Sequence, residues 1–132
     1  MMMTETMQYH LTIPGKQPNL NDWISRMNVN KFRGAAMKKD AQQYMIVYIK
    51  KQLRGIVITN PVKIHYVFYE PDKKRDKSNV ASFFVKVFED ALQECKILQN
   101  DSWKYIESYS HEFYVDAKNP RIEITISVSG GQ

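Results

Sequence analysis

Asp76 and Asp101 are the residues of this chain best suited to hold a hard divalent cation, and Lys86 lies between them in sequence. Asp76 closes the segment Pro-Asp-Lys-Lys-Arg-Asp at 71–76, where Asp72 and Asp76 stand among the cations Lys73, Lys74, Arg75 and Lys77. A loop that is merely solvated gains little from mixing the two signs. A site that binds a metal ion together with a phosphate needs both. Two carboxylates with only oxygen neighbours suit Mg²⁺, which prefers oxygen ligands and keeps several waters. Such an ion would polarise a phosphate oxygen, activate water or stabilise the leaving oxygen. Lys86 would position the phosphate or neutralise charge developing in the transition state. Lys73, Lys74, Arg75 and Lys77 would hold a nucleic-acid backbone through charge-assisted contacts. Each residue also has an ordinary reading. Asp76, Ser78 and Asn79 stand where helix N-caps stand. Lys86 falls on a polar helix face, and Asp101 suits a turn.

The elements that must position these groups are written in the periodicity. Residues 8–13 alternate, with Tyr9, Leu11 and Ile13 on one face, and read as a first strand. Residues 14–22, with two prolines, a glycine and three Asx residues, break regular structure. From 34 to 53 the spacing of Met37, Ala41, Met45, Tyr48 and Gln52 predicts an amphipathic helix that ends near Gly55. Residues 62–69 predict a strand with Val62, Ile64, Tyr66 and Phe68 on one face and Pro61 at its start.

A second helix follows the basic loop. Val80, Phe83, Phe84, Val87, Phe88, Ala91, Leu92 and Cys95 form its apolar stripe, while Asn79, Ser82 and Lys86 lie roughly opposite. Residues 105–115 predict one bent strand or two short ones. Residues 121–128 predict a last strand with Ile122, Ile124, Ile126 and Val128 on one face. The order β-α-β-α-β-β gives the expected fold class: α+β, a mixed β-sheet with two main helices packed on one face.

The chain of 132 residues fits a single domain, 1–132, with flexible ends expected at 1–6 and 129–132. Its net charge of +5 favours an anionic partner. One cysteine excludes an internal disulfide and argues against a cysteine-based zinc site; Cys95 is expected to be a small buried hydrophobe. No apolar run approaches the roughly 20 residues needed to span a bilayer. The opening residues lack the features of a secretory signal, so no membrane association and a cytoplasmic location are expected. His10, His65 and His111 fall in three separate strands and are read as structural. Trp23 and Trp103 are read as core or interface residues, with base stacking as the alternative. No Ser-His-Asp order, glycine-rich phosphate loop or Walker motif is visible.

The ordered set PDKKRDKSNVASFFVKVFEDAL followed by NDSWKYI resembles the RusA family of Holliday-junction resolvases, especially its phage-type members. IPGKQPNLNDW is similar to that family's early Pro/Asn-rich segment, and KNPRIEITI to its closing strand. The likeness runs over about residues 7–128. It implies a RusA-like homodimer that cuts four-way or otherwise branched DNA using Mg²⁺, with Mn²⁺ as a substitute. It implies that Asp76 and Asp101 are catalytic metal ligands and Lys86 the catalytic lysine, with one extra helical turn between Asn79 and Lys86. Asn79 matches the family's asparagine at the helix start. Ser78 stands where the family has its second aspartate, so it would ligate weakly through its hydroxyl or a water. The alternative is a branched-DNA-binding dimer that does not cleave; a third class is a protein-interaction domain with no DNA role.

Overall fold

The computed structural model describes residues 7–129. The elements run β1 (Met7–Pro14), α1 (Leu20–Val29), α2 (Lys31–Gln52), β2 (Val62–Glu70), α3 (Lys77–Glu94), β3 (Ile106–Val115) and β4 (Arg121–Val128). The four strands form one mixed sheet in the order β1-β4-β2-β3. β4 pairs antiparallel with both β1 and β2, while β2 and β3 are parallel. Parallel neighbours need a long crossover, and here α3 supplies it.

Side chains alternate across a strand, and one face of this sheet is apolar. Leu11 and Ile13 of β1, the four residues from Val62 to Phe68 foreseen on β2, and Ile122, Ile124 and Ile126 of β4 are all buried. They join α2 and α3 in a single core. None of the residues pointing the other way on β1, β2 and β4 is buried. The helices therefore cover one face. The aromatic centre of the core is built from β2 and α3. The Tyr66 ring meets Phe84 and Phe88 edge-on at centroid separations of 6.0 and 5.9 Å, and Phe84 stacks on Phe88 at 5.5 Å. Such pairs add to plain area burial.

Three helices form where two were expected. The irregular segment ends at Asn19, which opens α1 with a capping box: its side chain accepts from the Asp22 N–H, and Asp22 accepts from the Asn19 N–H. α1 buries no residue completely. It is held by Trp23, whose Nε1 donates to the Gly34 carbonyl at 3.0 Å and whose ring lies 6.3 Å from Phe83. Asn30, in an extended conformation, ends α1 and caps α2, so α2 begins three residues before the expected start. A Cβ on Gly34 would overlap the Met27 side chain and lie 3.3 Å from Met27 Cα, which explains a glycine where the two helices meet.

α2 ends at Gln52, and Gly55 takes the left-handed turn after it with φ of 78°. Gln52 donates to and accepts from the backbone of Thr12, at 2.8 Å each, and so ties the outer edge of β1 to the helix layer. Cys95 is the C-cap of α3 and only partly buried, because the stripe runs out there. Residues 106–115 are one strand. Of the ends expected to be flexible, 1–6 and 130–132 lie outside the described residues. Ser129 is anchored instead: its N–H donates to the Pro61 carbonyl and its own carbonyl accepts from Asn60 Nδ2. Among the described residues no helix is long and apolar enough to cross a membrane.

Candidate functional site

α3 presents one unburied face to β3. Ser78, Ser82, Lys86 and Glu89 recur along it at helical spacing, and Tyr109, His111 and Phe113 face them from β3. These residues line an open groove of about 590 Å³. No helix covers β3, whose residues are mostly exposed, so its aromatic side chains stand at the groove wall. Tyr109 is 55% exposed. Burial against the sheet lowers the affinity of His111 for its proton, and the neighbouring His65 acts in the same direction.

The turn after α3 folds back so that Asp101 meets the helix. Lys86 Nζ lies 3.4 Å from Asp101 Oδ2 and 3.3 Å from Asp90 Oδ1, one turn further on. Asp90 is shared with Lys38 of α2 through its other oxygen, at 3.3 Å. Asp90, then Asp101, holds the Lys86 ammonium above its ordinary pKa. Lys86 remains 59% exposed, so its head can leave this arrangement for an incoming anion. Glu89 differs from its neighbours. It is a carboxylate at 8% exposure, and burial followed by the charge of Asp101 raises its pKa to about 7.

Asp76 stands at the other end of α3. It occupies the N-cap position, yet its side chain makes no capping bond and is exposed. From Asp76 to Asp90 the helix rises about 21 Å. Asp101 is tied to the Asp90 end through a shared ammonium, so Asp76 and Asp101 do not converge on one ion in this arrangement. The expectation that they meet is corrected on that ground: the extra helical turn carries Lys86 and Asp101 away from the helix start. Ser78 lines the groove near that start, and its carbonyl accepts from Ser82 Oγ at 2.5 Å. Asn79 is half-buried in the first turn.

The basic loop divides in two. Lys73 and Lys74 are exposed, and Lys77 reaches over the Phe113 ring at 5.7 Å. Arg75 turns inward. Its Nε and Nη2 each donate to a Glu70 carboxylate oxygen at 2.9 Å, and Nη1 donates to the Gln17 carbonyl at 2.7 Å. Both side chains of the Arg75–Glu70 pair are 12% exposed. Arg75 is thus a rivet between two loops, and the expectation that it contacts DNA gives way to that role. Trp103, expected to pack, is 97% exposed two residues beyond Asp101. Trp23 packs as expected.

The open face of the sheet carries a polar chain that sequence reading missed. His65 Nδ1 lies 2.6 Å from Ser110 Oγ, and His65 Nε2 lies 2.6 Å from Glu112 Oε2, which shares its carboxylate with the Tyr114 hydroxyl. Tyr114 first, and then His65, holds Glu112 below the usual carboxylate range. The connectivity is that of a hydrolytic triad. Ser110 and Glu112 are exposed on a flat strand, however, and a cross-strand tie between β2 and β3 accounts for all the contacts.

The donor chemistry at the Lys86 end suits Mg²⁺: Glu89, Asp90 and Asp101 offer only carboxylate oxygens. Among the described residues no group of three or more His, Cys, Asp or Glu side chains is close enough to form a ready metal cage. The fit is therefore to an ion held by one or two carboxylates and waters, the usual protein mode for Mg²⁺. The fold and groove define an α+β protein with a mixed four-stranded sheet, covered by three helices and bordered by an uncovered parallel edge strand. No family model matches the chain, and no curated protein matches it significantly.

Proposed function

We propose that this chain is a RusA-like endodeoxyribonuclease that hydrolyses phosphodiesters in four-way or otherwise branched DNA with Mg²⁺, acting as a homodimer. The observation that carries the reading is the meeting of Lys86 and Asp101, fifteen positions apart in the ordered motif, at 3.4 Å on an open groove. Asp101 would hold the metal, which when bound supplies positive charge to the phosphate being cut. Lys86 exchanges its contact with Asp101 for a phosphate oxygen and steadies the charge that builds up there. Lys73, Lys74 and Lys77 hold the flanking backbone. The exposed Trp103 beside Asp101 offers a surface on which an unpaired base stacks. A second copy has an edge to use: β3 ends the sheet, and Tyr114 and Val115 are exposed on it at 50% and 47%. Two-fold symmetry suits paired cuts in a four-way junction.

The separation of Asp76 from Asp101, with Ser78 in the place of a carboxylate, favours a second reading: a dimer that binds branched DNA without cutting it. One assay separates the two. A synthetic four-way junction is incubated with the protein and Mg²⁺, Mn²⁺ or EDTA. The expected result is metal-dependent cleavage that is lost in Lys86→Ala and in Asp101→Asn. Salt-dependent junction binding without cleavage in either metal would support the second reading. Binding no tighter than to linear duplex would remove both.

A further inference from the structure

We propose that Glu89 and Asp101 together form a hard divalent-cation site, for Mg²⁺ or Mn²⁺, in the groove between α3 and β3. The inference deepens the nuclease reading by naming a ligand that the motif does not contain. Glu89 sits three turns along α3 from Ser78, on the same groove-lining face. The carboxylate missing at the helix start is thus matched by one at the level of Asp101.

Two polar groups at this level lack partners. Glu89 is more than nine-tenths buried, and among the described residues its carboxylate has no hydrogen bond or ion pair; Lys86 is engaged with Asp90 and Asp101 instead. The Tyr66 hydroxyl is completely buried and also has no partner. It feels the charge of Glu89 and of Tyr109, both of which line the groove. Buried polar atoms are nearly always paired, so two orphans at one place point to a missing polar occupant. A neutral water alone would do little for a carboxylate already repelled by Asp101. A hydrated divalent ion offsets that repulsion directly, and its waters can accept the Tyr66 proton. Mg²⁺ and Mn²⁺ tolerate such a shell of few carboxylates and several waters. Lys86 would then be displaced from Asp101 toward the groove, where a phosphate would meet it.

The test is Mn²⁺ binding by the full chain at pH 8, followed by the electron paramagnetic resonance of free Mn²⁺, with Mg²⁺ as competitor. The expected result is one site per chain, displaced by Mg²⁺, and weakened at least tenfold in both Glu89→Gln and Asp101→Asn. Unchanged binding in Glu89→Gln overturns the proposal, as does absence of binding by the parent chain. Loss of binding in Asp76→Asn alone would place the ion at the helix start and equally overturn it. If Glu89→Gln does not fold, Glu89→Asp is read in the same way, since the shorter side chain withdraws the ligand. Junction cleavage measured in parallel keeps the two readings apart. Metal binding that depends on Glu89 without cleavage defeats the nuclease and leaves the site. Cleavage with binding unaffected by Glu89→Gln defeats only the site.

Discussion

Replacing Arg75 by methionine should damage stability and leave DNA affinity nearly untouched. Arg75 and Glu70 form a fork-to-fork pair with two bonds of 2.9 Å, both side chains 12% exposed, and Arg75 adds a bond of 2.7 Å to the Gln17 carbonyl. Its contact with Asp22 is longer, 3.7 Å, to a carboxylate that is 54% exposed, and adds little. Removing one member of a buried pair costs about 3–5 kcal/mol, because the other is left as an unpaired charge. Water at the exposed margin of Glu70 trims this toward about 3 kcal/mol, a change of roughly 100-fold in the folding equilibrium. Urea unfolding followed by circular dichroism measures that loss. The double variant Arg75→Met/Glu70→Leu should recover most of it, since an apolar pair of similar size tolerates burial. Junction affinity of folded Arg75→Met should stay within about twofold of the parent, while Lys73→Ala/Lys74→Ala lowers both affinity and its salt dependence. A stability change under about 0.5 kcal/mol, which is the range of surface substitutions, together with a large loss of affinity, would refute this assignment of Arg75.

Glu89 makes stability depend on pH. Its pKa in the folded chain, about 7, lies above the unfolded value, so the folded state binds the extra proton between about pH 4.5 and 7. Metal-free stability should therefore fall as pH rises through that window, by about 1–2 kcal/mol after allowance for solvent screening. Thermal melts in EDTA should show the fall in the parent and lose it in Glu89→Gln. Phe84→Ala removes a fully buried ring that touches Tyr66, Phe68 and Phe88, and should cost about 3–5 kcal/mol by urea titration. Trp103→Ala touches no core and should leave the melting temperature unchanged; under the nuclease reading it weakens junction binding by about 1–3 kcal/mol, the range for one stacked base, measured by fluorescence anisotropy.

Much of the helix and strand content was legible because a buried face imposes its period on the sequence. β2 and β4 alternate without interruption, and the stripe of α3 repeats through four turns. α1 was missed because its polar residues and the prolines before it outweighed a weaker signal. Leu20, Trp23, Ile24 and Met27 do recur at helical spacing, and Asn19 with Asp22 forms a capping box. Glu89 was readable as well. It follows Val85 by four residues and precedes Leu92 by three, so it occupies a place on the buried side where a carboxylate is an exception.

The sequence by itself determined the elements, the basic loop and the pairing of Lys86 with an acid near the end of α3, since each depends on local period or on a turn that reverses the chain. Tertiary structure decided how the four cations divide: Arg75 finds the Glu70 fork five residues back and turns inward, while its lysine neighbours remain in solvent. It also decided which acids share a neighbourhood. A straight helix keeps its two ends apart by its full rise, so Asp76 stays at the start of α3 while the turn at Asp101 closes on the level of Lys86 and Glu89.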